Sequence, residues 1–337
     1  MATSDPLLPK NEETSENSSE DDDERDEEKW RMIKGCSLSL IGAICFAARN
    51  FITSVQTKDI DPTFVTFLER AWCIPFGAVY CTLRGCSVKL DKVLTLSLIA
   101  GGLLTGILIL LLIWAFSLIA VGDAVAAGSI VPASTGVLAW CLIGERFTCK
   151  DVIFSCIGIA GVVFISKPAI FLELTDENIP KGPLLVGTAV AASTSVIRSV
   201  TQIMYRYVGR YDVDPSVSVM FVSVFSTVPS IVACSVFATW SLPDRRTFMV
   251  SILAASQGLS GALLSAEALR RIKTMHHSLI QLSVPIFTYS LDIILQGTVP
   301  DWQSVLGCAL IITSSLAIIG EPKDDNAKSD SSKSTGK

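Results

Sequence analysis

Charge is scarce in this sequence. Asp, Glu, Lys and Arg make up 18% of its 337 residues, against roughly 25% in soluble domains. Much of that charge sits at the two ends: residues 1–29 hold twelve acidic side chains, and residues 321–337 are mainly Lys, Asp and Ser. Between them runs a long apolar stretch cut by short polar breaks, with 50% hydrophobic residues and a mean hydropathy of +0.52 over the chain. Such a chain cannot hide its apolar surface in water, so lipid is the solvent it is built for. A basic excess is also lacking, since the net charge is −5, which argues against a nucleic-acid partner. Histidine occurs twice, and none of the ten cysteines forms a Cys-x-x-Cys pair, so zinc and redox motifs find no support. The scattered cysteines read as small buried hydrophobes. There is no Gly-x-Ser-x-Gly, no intramembrane His-x-x-x-Asp and no paired acidic motif, so neither an enzyme nor a cofactor or metal site is expected. The acidic N-terminus lacks the composition of a cleavable signal peptide, and the first apolar segment is expected to act as the insertion signal.

A spanning helix needs about 20 mostly apolar residues. Ten segments meet that requirement: 33–54, 63–82, 93–119, 121–143, 149–167, 183–206, 214–240, 247–269, 275–296 and 302–320. Turn chemistry separates them, for example Asp61-Pro62, Gly122-Asp123, Asp214-Pro215 and Pro300-Asp301. With the N-terminus in the cytosol, the inner loops and flanks carry fifteen Lys and Arg residues and the outer ones five, Lys58, Lys167, Lys181, Arg245 and Arg246. That asymmetry orients the chain with both termini cytosolic, and an even helix count agrees with it.

The chain also repeats itself. A shift of about 150 residues lays Asp59-Ile60-Asp61-Pro62 on Asp212-Val213-Asp214-Pro215, Pro132 on Pro285 and Gly144 on Gly297. One offset serves positions far apart in the chain. Each unit holds an odd number of helices, so the second must insert upside down relative to the first, the arrangement recurrent in secondary transporters. The expected architecture is all-α and polytopic: an acidic disordered tail over 1–29, a first repeat over 30–167, a loop over 168–182, a second repeat over 183–320 and a disordered tail over 321–337.

Gly122-Asp123-Ala124, Pro132, Gly144-Glu145-Arg146 and Gly158-Ile159-Ala160-Gly161 together resemble the fourth and fifth helices of an EamA domain. Phe67-Leu68-Glu69-Arg70 resembles that family's second helix. The chain is thus similar to the drug/metabolite transporter superfamily over residues 30–320, and within it to the G subfamily of solute carrier family 35. In the second unit Thr298 replaces the Glu and Ile311 the first Gly of the pair. The resemblance implies transport of a small solute, with organic anions such as carboxylates as its looser suggestion.

Arginine inside a bilayer is costly unless it faces a cavity or a partner. Arg49, Arg70, Arg198 and, one turn from Arg198, Gln202 are therefore the substrate-binding candidates. The repeat shift lays Arg49 on Gln202, so the first and sixth helices present polar side chains on matching faces. A structural alternative pairs Arg49 with Glu69. Glu69, Glu267, Asp292 and His276 are candidates for coupling or gating; for Glu267 and Asp292 the competing expectation is snorkelling to the interface, and for His276 and His277 a solvated basic rim. Gly102-x-x-x-Gly106 and the series Ala254, Gly258, Ala262, Ala266 form smooth stripes suited to close helix packing. Asn17-Ser18-Ser19 is a sequon on the cytosolic side, and Asp5-Pro6-Leu7-Leu8 is dileucine-like. The runner-up function is a membrane adaptor that recruits a basic partner through its acidic tail. Substrate, coupling ion, homodimerisation and the choice between plasma membrane and endomembrane stay open at this stage.

Overall fold

The computed structural model of the protein describes residues 12–56, 60–86, 90–119, 124, 127–145, 148–166, 181–237, 243–297 and 302–319. Of residues 12–25, 116–117, 166, 181–184, 292, 296 and 318–319 it describes the backbone alone. The dileucine-like segment, Gly122-Asp123, Arg146, the loop 168–180, Thr298 and the tail 321–337 lie outside the described residues.

Among these residues every regular element is helical. The first repeat contributes α1 (Glu12–Gln56), α2 (Pro62–Leu83), α3 (Lys92–Leu118), α4 (Val131–Ile143) and α5 (Cys149–Ser166). The second contributes α6 (Lys181–Gly209), α7 (Pro215–Phe237), α8 (Arg245–Arg271), α9 (Thr274–Gln281), α10 (Val284–Gln296) and α11 (Trp302–Ile319). Five stretches are long and apolar enough to cross a membrane by length and composition: Asp26–Gln56, Lys92–Ala115, Pro215–Phe237, Arg245–Arg271 and Thr274–Leu295. The last of these takes in both α9 and α10, which together form one span, so ten spans remain. α2 and α6 are absent from the five, and they are the helices that carry Glu69, Arg70 and Arg198.

Three expectations are corrected. The segment 275–296 is not one helix. Pro285 has no N–H to donate and its ring crowds the carbonyl one turn back, so α9 ends at Gln281. Leu282 and Ser283 turn with tight bonds, Leu282 N to Leu279 O at 3.1 Å and Ser283 N to Ile280 O at 3.0 Å. Pro132 marks the same break in the first repeat: Ala124, Ala127 and Gly128 are helical, Ser129 and Ile130 turn, and α4 starts at Val131. The acidic stretch expected to be disordered is helical from Glu12 onward. Glutamate is a good helix former, and no proline falls between Pro9 and Pro62.

The repeat is visible in the helix bounds. Lys92 and Arg245, Val131 and Val284, and Cys149 and Trp302 are helix starts related by one constant shift, and the ends of α3, α4 and α5 map onto those of α8, α10 and α11 by the same shift. Local chemistry repeats with it. Asp61 caps α2, accepting from Thr63 N at 2.8 Å, and Asp214 does the same for Ser216 N at 2.8 Å. The proline following each aspartate occupies the helix start, where a missing N–H costs nothing. Gly144 and Gly297 close α4 and α10 in the left-handed conformation, with φ of 68° and 69°.

Packing is mostly between repeats. α1 lies along α8 and, symmetrically, α6 along α3; α3 packs on α7 as α8 does on α2; α4 meets α6 as α10 meets α1. α2 against α7 and α5 against α11 are the two pairs that cross on the pseudo-twofold axis. Small residues allow this. A Cβ on Gly106 would lie 2.7 Å from Ser226 O and from Pro229 Cγ. A Cβ on Gly161 would lie 2.7 Å from Gly307 O, and one on Gly307 would lie 2.5 Å from Gly161 O. The ends of α3 and α8 dock alike: Ile119 fills the space beside Gly187 and Ile272 that beside Gly35, each 2.5 Å from a hypothetical Cβ.

Gly161→Leu is therefore expected to destabilise the folded protein by about 1–3 kcal/mol or more, because backbone rather than a flexible side chain blocks the added volume. Gly128→Ala, which meets nothing within 4 Å, is expected to be neutral. Fluorescence-detected size exclusion after heating would check this, and equal profiles for the two variants would contradict the packing.

Candidate functional site

The interior charge lies where α1, α2 and α6 approach one another. Arg49 on α1 donates through Nε to Glu69 Oε2 at 2.9 Å, with its second guanidinium nitrogen 2.8 Å from the same oxygen. The Thr53 hydroxyl, one turn on, contacts Glu69 Oε1 and lies 2.9 Å from the Arg49 carbonyl. The Glu69 side chain is 2% accessible and that of Arg49 20%. Gly258 on α8 makes room for the arginine stem: a Cβ there would sit 2.8 Å from Arg49 Cδ. The structure thus forms the Arg49–Glu69 pair that the sequence offered as the structural alternative.

Arg70 and Arg198 are placed differently. Among the described residues neither has a carboxylate partner. The Nε of Arg70 is buried without a hydrogen-bond acceptor among the described residues; Arg49 repels its charge, while Glu69, already held by Arg49, attracts it without an ion pair, and Cys73 and Tyr205 are close by. Arg198 is exposed, yet it shares a helical face with Ala191, Ser195 and Gln202, all buried. Its electrostatic neighbours are Arg49 on α1 and His277 on α9. Its accessible surface therefore opens between the repeats. Among the described residues three guanidiniums stand against one carboxylate, an excess of positive charge in the core of the bundle.

One turn below Arg198, toward the face where α1 enters, a hydroxyl layer joins three helices. Gln202 Oε1 accepts from Ser278 Oγ at 2.5 Å, and Ser278 Oγ lies 3.2 Å from Thr135 Oγ1. Thr135 in turn donates to Ser199 Oγ at 2.8 Å. Gln202 is thus satisfied by α4 and α9. Thr135, Ser199, Ser278 and Tyr205 were not legible in the sequence, because single hydroxyls in apolar helices carry no positional signal.

At that end of the bundle Glu145, of the Gly-Glu-Arg segment, forms a clasp between repeats. Its Oε1 accepts from Arg206 Nε at 2.9 Å and lies 3.5 Å from Arg210. Its Oε2 accepts the Thr274 backbone N–H at 3.0 Å, satisfying an open donor at the start of α9. Arg206 also donates to Leu269 O at 2.5 Å. One carboxylate thereby ties the α4–α5 connection to the ends of α6, α8 and α9.

Of the remaining candidates the two histidines are placed otherwise than expected, and Glu267 lies at the rim as the snorkelling alternative has it. The histidines do not form a solvated rim: all of α9 is buried, because it is wedged among α1, α4 and α8. His277 Nδ1 is 2.9 Å from Ser39 Oγ. His276 Nε2 stands 3.8 Å from Asp151 Oδ1, too far for a hydrogen bond, and is otherwise unpartnered. Glu267 lies away from the central arginines, in ion pairs with Arg270 at 3.5 Å and with Arg271; two adjacent cations at the helix end hold it at the rim. The side chain of Asp292 lies outside the described residues. No group of three or more His, Cys, Asp or Glu among the described residues could hold a metal ion.

An all-helical body of two inverted repeats with arginines at its core defines a polytopic membrane protein of the transporter type. The profile of the EamA-like transporter family matches residues 33–167 and 185–320, and the chain belongs to that family. It is 26% identical over 224 residues to human (Homo sapiens) solute carrier family 35 member G1, covering 65% of this chain and 60% of that protein. The Mus musculus protein of that name is 24% identical, covering 61% and 56%, and the uncharacterized membrane protein YMR253C of Saccharomyces cerevisiae 28%, covering 59% and 51%. The matches thus span less than two thirds of these relatives' length. A solved crystal structure shares the fold with a TM-score of 0.70 at 19% identity, covering 84% of this chain and 96% of its own.

Breaking a buried ion pair from one side costs about 3–5 kcal/mol, because the other charge is left uncompensated. Glu69→Ala is accordingly expected to lower the melting temperature of the detergent-solubilised protein sharply, and Arg49→Met in the same chain to restore most of it. A double variant no more stable than Glu69→Ala would show that the pair is not a unit.

Proposed function

We propose that the protein is a secondary transporter that carries a small organic anion by alternating access, with Arg70 and Arg198 gripping the anion from opposite repeats. The observation that carries this reading is the contrast among the three arginines. Arg49 has its carboxylate; Arg70 and Arg198 have none among the described residues, and Arg198 faces an opening between the repeats. An unpaired guanidinium in a low-dielectric setting is costly, and an anionic solute removes that cost each time it binds. A guanidinium stays protonated and can hold a carboxylate through two parallel hydrogen bonds, which favours a carboxylate-type metabolite. Gln202 and the hydroxyls beside it add neutral polar groups one turn below Arg198. Membership in a transporter family and similarity to proteins named solute carriers support transport as the activity.

In this reading the Glu145 clasp holds one end of the pathway together, and passage requires Arg206 and Arg210 to release it. Relative rocking of the repeats is the motion that would do so, since the repeats meet along smooth glycine contacts and are joined at this end by few, exchangeable ion pairs. Both termini are assigned to the cytosol on the basic asymmetry of the loops, which makes the clasp the cytosolic gate.

Uptake by the purified chain in liposomes, screened with a panel of anionic metabolites, tests the activity. For a transported anion, Arg70→Gln and Arg198→Gln are each expected to lower uptake efficiency about tenfold or more, the loss of one hydrogen-bonded charge contact. Arg49→Lys should be milder. Wild-type uptake by both glutamine variants at normal expression would make the arginines structural and remove the anion assignment.

Tags at both ends are expected to be cleaved by protease added to the cytosolic side, and a tag within residues 173–178 to be protected. A protected N-terminus with an accessible loop would reverse the orientation.

A further inference from the structure

The cytosolic gate is bordered by a cleft that the transport reading does not use. It has a volume of about 500 Å³ and is lined by Arg31, Arg206, Arg210, Arg270 and Arg271, with Gly209, Asp212 and Glu267. Five guanidiniums line it against two carboxylates, and with Glu145 behind Arg206 and Arg210 counted the excess is two positive charges. The acids are committed within it: Asp212 to Arg270 at 3.0 Å, and Glu267 to both Arg270 and Arg271. Arg31 has no carboxylate partner among the described residues and reaches only the Arg270 carbonyl, at 3.4 Å. Gly209 keeps the floor open, for a Cβ there would lie 2.8 Å from the stem of Arg270. The site is built from α1, α6, its following turn and α8, so its charges are brought together by the tertiary fold. Trp30, 62% exposed, precedes Arg31 and suits the headgroup level of a bilayer, where aromatic side chains collect.

We propose that this cleft is a binding site for a phosphate-bearing anion. Arginine forks match phosphate oxygens in pairs, and a polyanion answers such an excess better than a single carboxylate does. The site is separate from Arg70 and Arg198, and a ligand in it draws on Arg206 and Arg210, the residues that hold Glu145. Occupancy therefore loosens the clasp. Two sources carry this chemistry, the phosphorylated headgroup of an anionic lipid and a soluble phosphate compound.

The test is equilibrium binding to the full-length protein in detergent micelles, by isothermal titration calorimetry, with inorganic pyrophosphate and with short-chain phosphatidylinositol bisphosphate. Short-chain phosphatidylcholine is the control. The expected result is salt-sensitive binding of at least one phosphate probe and none of the control. Binding of both phosphate probes assigns the cleft to phosphate as such; binding of the lipid alone assigns it to a headgroup. The Arg210→Gln/Arg271→Gln variant is expected to weaken binding about tenfold or more. Glu267→Gln removes a negative charge, frees Arg271 and leaves Arg270 with Asp212 alone, so it should tighten binding severalfold, an effect that a folding defect would not produce. Absence of binding by either probe, wild-type affinity in the double variant, or weaker binding by Glu267→Gln would each overturn the proposal. None of these readouts involves transport, so the site stands or falls independently of the anion-transport reading.

Discussion

Helices of one repeat find their main partners in the other, and this interlocking is the constraint on which the rest of the structure depends. α1 leans on α8, α6 on α3, α2 crosses α7 and α5 crosses α11. In lipid there is no hydrophobic force to gather helices, so close backbone approach has to do it. The closest approaches are at Gly106 on Ser226 and Pro229 and at Gly161 on Gly307. Neither repeat presents a self-contained packing surface, and the arginines at the core are held in place by elements from both.

The buried charge follows from that arrangement. Glu69 and Arg70 are adjacent on α2, but adjacent helical residues point in different directions. Glu69 meets α1, where Gly258 leaves room for Arg49 to lie flat and reach it. Arg70 forms no such pair among the described residues and has Tyr205 of the second repeat among its neighbours. The ion pair and the unpaired cation thus come from one dipeptide, and their difference in role is set by which neighbour each side chain faces. Among the described residues three arginines stand against one carboxylate, so the interior charge is not fully paired.

The two ends of the bundle are not equivalent despite the repeat. The first unit carries Glu145 after Gly144, and the second carries Thr298 after Gly297. Among the described residues the charged clasp to Arg206 and to the start of α9 is formed at one end. The repeat supplies a symmetric frame, and substitution at a few positions makes the two ends chemically different. The arginine cleft beside the clasp adds a second concentration of positive charge on the same side.

The sequence by itself determined the class of the molecule: its poverty of charge, the ten apolar segments, the single repeat offset with its Asp-Pro caps and left-handed glycines, and the presence of three arginines where few are tolerated. Those features are local, and spacing and composition encode them. Pro285 and Pro132 were equally visible, although the break of α9 from α10 follows from steric rules that hydropathy alone passes over. What only the tertiary structure decided is pairing. That Arg49 and not Arg70 holds Glu69, that Arg198 opens inward, that the histidines are buried while Glu267 sits on the rim, and that Glu145 reaches Arg206 and Thr274 all depend on contacts between residues far apart in the chain. Such contacts are set by how two inverted repeats interlock, and periodicity along one helix carries no information about the face its partner presents.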